Sequence, residues 1–391
     1  MERLYLDNAA TTAMRPEVLE GILPFLTTSY ANPSSIHSSG QRVQRALSGA
    51  RKRTAEAVGA RPDEIVFTSG GSEADSLAIF GSMTGSFARA HFITSAIEHH
   101  AVLHAADALR ARGHKVTVVP VDRDGLVSED ALKAALDGSP SVVSIMHGNN
   151  EIGTIQDIAR LAALTHDYGG IFHTDAVQTV GHVPVDVRAL GIDALSFSAH
   201  KFEGPKGVGA LFVRKDVPLT PLIVGGGQEG GRRAGTENVP GIVGLSIALS
   251  LAVGDLQDTQ SRVTALRESL MNGILASIPE SELNGSRTSR LPNNVNVRFA
   301  QIEGDTIVVG LDLAGIEIST GSACSSGSLD PSHVIQALGL EPAAARGSIR
   351  ISLGRANTQA DVDRVLLVLP PLVGRLRGLA GALTVEGARG S

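Results

Sequence analysis

The 391-residue sequence predicts an α/β protein with a large unit built on a mostly parallel sheet and a smaller α+β unit after it. Three observations lead there. From Arg61 to about Val213, short apolar and β-branched runs alternate with segments of helical period, the pattern of a parallel sheet covered by its crossover helices. The polar residues that stand out in this region fall at the carboxyl ends of the apolar runs, where open α/β sheets bind their ligands. After about Gly254 the alternation stops, and a charged helical stretch is followed by isolated strand-like runs.

In chain order, the runs 64–67, 91–94, 115–119, 142–146, 170–173 and 194–197 read as strands, with helices over 72–83, 101–112 and 155–168 between several of them. The uncharged segment 239–254 is shorter than a bilayer-spanning helix and contains Gly, Ser and Pro, so it reads as a core helix. A charged helix over 255–277 leads to strand-like runs at 293–297 and 348–353. A last helix ends near Arg377, and the Gly- and Ala-rich tail from Gly378 reads as frayed. The expected division is a large unit over 15–254, and a small unit of 1–14 with 255–391 that carries the single cysteine.

Composition narrows the function classes. Lys+Arg 34 against Asp+Glu 40 gives a net charge of -6, which lacks the basic surface of a nucleic-acid binder. One cysteine excludes an internal disulfide and any multi-cysteine metal site within one chain. The charged N-terminus, Met1-Glu2-Arg3-Leu4-Tyr5-Leu6-Asp7, has no apolar signal-peptide core. A soluble cytoplasmic protein that acts on small molecules or proteins, without nucleic acid or membrane, is the expectation.

Several positions carry chemistry. The turn Gly70-Gly71-Ser72-Glu73 follows the first strand and opens a helix, so its glycines and unpaired N–H groups can cradle a phosphate, or simply cap a helix. Asp175 ends an apolar run, where a carboxylate can keep a pyridine nitrogen protonated, with Gln178 one turn on. Asp175 can equally be a helix cap. Lys201, beside His200 and Ser198 at a strand end, can condense with an aldehyde; Lys206, in a Gly-Pro-Lys-Gly turn, competes for that role. His99 is placed to stack on a ring and move protons, with His100 and His104 as neighbouring rivals. Asn150 and Arg350 suit an amino-acid carboxylate, and Arg355 is the competing arginine. Cys324 lies in Gly321-Ser322-Ala323-Cys324-Ser325-Ser326-Gly327, where small neighbours favour a reactive thiol over a packed one.

These motifs, in this order, resemble the cysteine desulfurases of the NifS/IscS type, within the class-V aminotransferases of fold-type I. The likeness runs through Tyr5-Leu6-Asp7-Asn8-Ala9-Ala10-Thr11-Thr12, Ala31-Asn32-Pro33-Ser34-Ser35-Ile36-His37, Asn149-Asn150-Glu151-Ile152-Gly153, the Lys201 segment, Gly235-Thr236-Glu237-Asn238 and Ser352-Leu353-Gly354-Arg355. It implies an aspartate aminotransferase-like fold, pyridoxal 5'-phosphate as cofactor, and conversion of L-cysteine to L-alanine. A selenocysteine lyase or aminotransferase of the same fold is the alternative. By position, the resemblance implies Lys201 as the Schiff-base lysine, His99 as ring-stacking acid/base, Asp175 on the pyridine nitrogen and Gln178 on the ring hydroxyl. Gly71, Ser72, Ser198 and His200 would hold the phosphate, joined by Thr236 from the second subunit of a homodimer. Asn150 and Arg350 would bind the substrate carboxylate, and Cys324 would take the sulfur as a persulfide for an acceptor protein such as an iron-sulfur scaffold. The chain departs from the pattern at Ser72, often threonine, at Glu203, often aromatic, and at Gly230, often arginine.

Overall fold

The strands of the large sheet are short and mostly buried, and five of them end in a polar residue: Thr68, Ser95, Ser144, Asp175 and Ser198. The computed structural model describes residues 3–320 and 331–387, with side chains through 379, so Cys324 lies outside the described residues. The described strands are β1 (Leu4–Tyr5), β2 (Ile65–Thr68), β3 (His91–Ser95), β4 (Val116–Val119), β5 (Ser141–Ser144), β6 (Ile171–Asp175), β7 (Ala194–Ser198), β8 (Gly209–Val213), β9 (Ser281–Leu283), β10 (Asn294–Phe299), β11 (Ile316–Glu317) and β12 (Ser348–Ser352).

Seven of them form one sheet in the order β2-β8-β7-β6-β5-β3-β4. β3, β4, β5, β6 and β7 pair in parallel, and β8 runs antiparallel to both β2 and β7. The expected mostly parallel sheet is therefore present, with β8 as an addition the sequence reading did not name. Its place explains Gly209: a Cβ there would sit 2.7 Å from the backbone of Gly70, so β8 passes directly behind the Gly70–Ser72 turn.

Apolar residues of both sheet faces pack against the helices Pro16–Thr27, Ser38–Ala57, Ile158–Asp167 and Val239–Gly254 on one side and Gly71–Ser82 and His100–Ala111 on the other. The helix Ile158–Asp167 starts three residues later than expected, because Ile155 is held in a bridge with Gly148 and Asp157 caps the Arg160 N–H. Helix Val239–Gly254 is a buried core helix, as expected. Among the described residues no single helix is long and apolar enough to cross a membrane.

A second core gathers Leu4 and Leu6 with Val263, Leu270, Val297, Ile351 and Val365 around the antiparallel sheet β12-β10-β9. β1 pairs with β11, and Asp7 bridges Ser352 next to β12, so the N-terminal segment enters this second core. Val334, Ile335 and Leu338 then pack on Ile97, Met146 and Ile152, closing the C-terminal region over the ends of β3 and β5. The last helix runs Gln359–Gly387, ten residues beyond its expected end near Arg377; prolines 370 and 371 lie inside it.

Candidate active site

The carboxyl ends of β3, β5, β6 and β7 open into one cavity of about 400 Å³, closed on its other side by the N-terminal turn and β12. Gly71, Ser72, His99, Asn150, Asp175, Gln178, Ser198, His200, Lys201 and Arg350 all line it. Thr236 does not: it is exposed and lines a different hollow with Ser69, Gly207 and Arg233. The rivals fall elsewhere. Lys206 is exposed, Arg355 pairs with Glu203 at 2.9 Å, and His100 stacks on His104 with ring centroids 5.1 Å apart.

One wall is the turn between β2 and the helix Gly71–Ser82. A Cβ on Gly71 would meet Val177 at 2.7 Å, so only glycine lets the helix N-terminus approach the Asp175–Gln178 segment this closely. Its unpaired N–H groups, the Ser72 and Ser198 hydroxyls and His200 form a donor set suited to a phosphate. His200 Nδ1 lies 3.1 Å from the Thr11 hydroxyl; burial, with the nearby Lys201 and Lys206 charges, pushes its pKa down to about 4, so it is neutral at physiological pH.

Asp175 stands at the last position of β6 and accepts a hydrogen bond from the Val177 N–H at 2.9 Å. Burial raises its pKa, opposed by the charges of His99 and Lys201. His99 caps the helix His100–Ala111 through Nδ1, which accepts from the Ala101 N–H at 3.1 Å. Lys201 ends the short turn after β7, and its amine donates to the carbonyls of Ala9 at 2.7 Å and Ala10 at 2.8 Å. Gln178 donates to the same Ala9 carbonyl at 3.0 Å. Arg350 projects from β12; it is 2 % exposed, pairs with Asp7 at 2.6 Å and donates to the Asn150 carbonyl at 3.0 Å.

Two features escaped the sequence reading. Asp75 lines the cavity fully buried, and burial together with the Asp175 charge raises its pKa well above the usual carboxylate range, against a bond from Ser196. Its signal was available as an acidic residue among Ala74, Leu77 and Ala78 on the buried face of its helix. The second is the part played by the turn Asp7–Thr12, noted in the sequence only as a motif of the resemblance: it reaches Arg350, Lys201, Gln178 and His200, largely through backbone carbonyls, which no residue type announces. Among the described residues, no group of three His, Cys, Asp or Glu is arranged to hold a metal ion.

The site therefore unites an amine, a buried carboxylate, an imidazole, a phosphate-sized donor set and a buried guanidinium. Residues 4–365 match the family model described as aminotransferase class-V. The chain belongs to the class-V aminotransferase family. As a class-V chain it is 50% identical over 378 residues to the cysteine desulfurase IscS of Methanosarcina thermophila, covering 96% of this chain and 93% of that relative. It is likewise 50% identical over 378 residues to the protein of the same name from Dictyoglomus turgidum, covering 96% of each. Among solved structures, a NifS-like protein superposes with a TM-score of 0.90 at 38% identity, covering 96% of this chain and all of that one (100%). A structure described as SspA in complex with cysteine gives a TM-score of 0.80 at 37% identity, covering 91% of this chain and 100% of its own. The aspartate aminotransferase-like fold expected from the resemblance is borne out.

Proposed function

We propose that this protein is a cytoplasmic, homodimeric, pyridoxal-phosphate-dependent cysteine desulfurase, which converts L-cysteine to L-alanine and passes the sulfur through a persulfide on Cys324 to an acceptor protein. The observation that carries this reading is the single cavity that joins Lys201, His99, Asp175 and Arg350, in a chain 50% identical to proteins named cysteine desulfurase. In it, residues 15–254 form the cofactor-binding unit, and 1–14 with 255–391 form the unit bearing the Cys324 loop.

The residues fit the cofactor by chemistry and by shape. The donor set at the start of helix Gly71–Ser82 suits the phosphate, the missing side chain of Gly71 lets that helix start close to the Asp175–Gln178 segment, and Asp175 in the same cavity suits a protonated ring nitrogen. When bound, pyridoxal phosphate supplies an electron-withdrawing ring that accepts the electron pair left when the substrate α-proton departs.

The chain's own residues do the rest. Lys201 would hold the cofactor through its amine and, once that amine is free, would carry the α-proton. The Ala9 and Ala10 carbonyls give that freed amine a place to rest. Asp175 would keep the ring nitrogen protonated, and Gln178 would hold the ring hydroxyl. His99, whose Nδ1 accepts from the Ala101 N–H, would serve as the ring-stacking acid/base through Nε2. Asn150 and Arg350 grip the substrate carboxylate through amide and guanidinium donors. The Cys324 thiolate attacks the substrate sulfur: an S–S bond forms as the C–S bond breaks, and the carbon takes up a proton to leave as alanine. Thr236 reaches the phosphate from the second subunit.

Incubating the purified holoenzyme with L-cysteine and a thiol acceptor tests this. Alanine and sulfide should appear in equal amounts. Formation of pyruvate, or turnover only with a selenium substrate, would replace the proposal with a lyase reading.

A further inference from the structure

The turn Asp7–Thr12 touches four residues of the cavity, yet Asp7 itself does not line it. Its carboxylate instead holds Arg350 from behind. Arg350 Nη2 donates to Asp7 Oδ1 at 2.6 Å and Nη1 donates to the Asn150 carbonyl at 3.0 Å, while Nε is buried with no hydrogen-bond partner among the described residues. A guanidinium has five N–H donors in a fixed plane. Two being engaged on the protein side, the Nε hydrogen and one hydrogen on each terminal nitrogen are left to meet a ligand. The guanidinium is also 2 % exposed, so an unsatisfied donor there is costly unless a ligand takes it.

Both partners of the pair are themselves fixed. Arg350 is central in β12, in register with Asn296 of β10, and its backbone exchanges hydrogen bonds with Ser319 at 3.1 and 2.6 Å. Asp7 bridges Ser352, and its carbonyl accepts from the Ala10 N–H at 3.0 Å and the Tyr5 hydroxyl at 3.0 Å. The same turn presents the Ala9 and Ala10 carbonyls to the Lys201 amine. The distance from carboxylate grip to reacting amine is thus set through one short stretch of backbone.

We propose that Asp7 is a positioning residue for substrate recognition: by holding one end of the Arg350 guanidinium, it aims the remaining N–H edge at the α-carboxylate of an amino-acid substrate in register with Lys201. This rests on the reading of Arg350 as the carboxylate-binding residue. A positioning role and a competing role predict opposite signs. If Asp7 merely occupied the arginine until substrate displaced it, its removal would tighten binding; as a positioner, its removal loosens the grip and leaves a buried cation poorly compensated.

The test compares holoenzyme variants D7A, D7N and R350Q with wild type on L-cysteine, on the product L-alanine as inhibitor, and on cysteamine, which lacks the carboxylate. Binding of cysteamine is followed by the absorbance of the bound cofactor. D7A should raise KM for L-cysteine and the inhibition constant for L-alanine by about tenfold or more, with kcat held within about threefold and cysteamine affinity unchanged. D7N, which keeps the volume and one acceptor oxygen, should fall between D7A and wild type, and it carries the test should D7A not fold. A fall in KM, an unchanged KM, or an equal loss for cysteamine and L-cysteine would overturn the role of Asp7. R350Q separates the two claims: if it leaves the preference for L-cysteine over cysteamine intact, the reading of Arg350 itself is wrong, whatever Asp7 does.

Discussion

Replacing Glu98 with glutamine should remove a pH dependence that the wild-type fold carries. Glu98 is fully buried beside the cavity wall; one carboxyl oxygen accepts from the Ser95 hydroxyl and from the Met146 N–H at 3.0 Å, and the other has no partner among the described residues. Burial outweighs those two bonds and pushes its pKa from 4.5 up to about 8. In the unfolded chain Glu98 ionises near 4.5, whereas in the folded protein it keeps its proton to about 8. Between those values the folded state binds more protons than the unfolded one, so stability falls as pH rises. Each pH unit costs about 1.4 kcal/mol, so the total is at most about 5 kcal/mol, and about 3 kcal/mol of it is incurred by pH 7. Glutamine mimics the protonated acid and has no proton to lose. Urea denaturation of wild type and Glu98→Gln at about pH 5.5 and about pH 8.5 should show the variant gaining stability relative to wild type by about 3 kcal/mol between the two. A difference that stays constant with pH would mean that Glu98 titrates normally in the folded protein.

Two further outcomes follow from the cavity. Lys201→Ala should abolish the yellow colour of bound cofactor while Lys206→Ala keeps it, because only Lys201 lines the cavity and Lys206 is exposed. Borohydride reduction and peptide mapping should find the pyridoxyl group on Lys201, and a label on Lys206 would reverse the assignment. Asp175→Asn should keep the bond from the Val177 N–H and retain cofactor, but lose the charge that holds the ring nitrogen protonated, so kcat should drop about a hundredfold or more with little change in KM. An unchanged kcat would remove Asp175 from the chemistry.

The large sheet was legible because most of its strands are short apolar runs followed by polar residues; the observed β3, β6 and β7 lie within two residues of the runs read from sequence. β8 was missed although Gly209–Val213 is just as apolar, because a parallel alternation offers no place for an antiparallel insert between β2 and β7. The helices Pro16–Thr27 and Ser38–Ala57 also went unnamed, though the second buries Gly40, Val43, Leu47, Ala50 and Thr54 at helical spacing. At the site, side chains with distinctive chemistry stood out: Lys201, Asp175 and His99 converge as their strand-end positions suggested, and Arg350 joins them from the middle of β12. What the residues did not announce was the N-terminal turn, since Lys201 and Gln178 rest there on the backbone oxygens of two alanines. Asp7 is meaningful only once β12 brings Arg350 to it across 343 residues of sequence.

Sulfur transfer to Cys324 separates a desulfurase from every other enzyme that this cavity could serve. Wild-type holoenzyme incubated with L-cysteine should show the Cys324 peptide heavier by one sulfur atom in mass spectrometry, together with free alanine. Cys324→Ser should keep the bound cofactor and its spectral response to L-cysteine, because those rest on Lys201, Asp175 and Arg350, yet it should carry no added sulfur and release almost no alanine, since a serine hydroxyl is not ionised at neutral pH. Alanine formed by the serine variant at the wild-type rate would contradict the desulfurase reading.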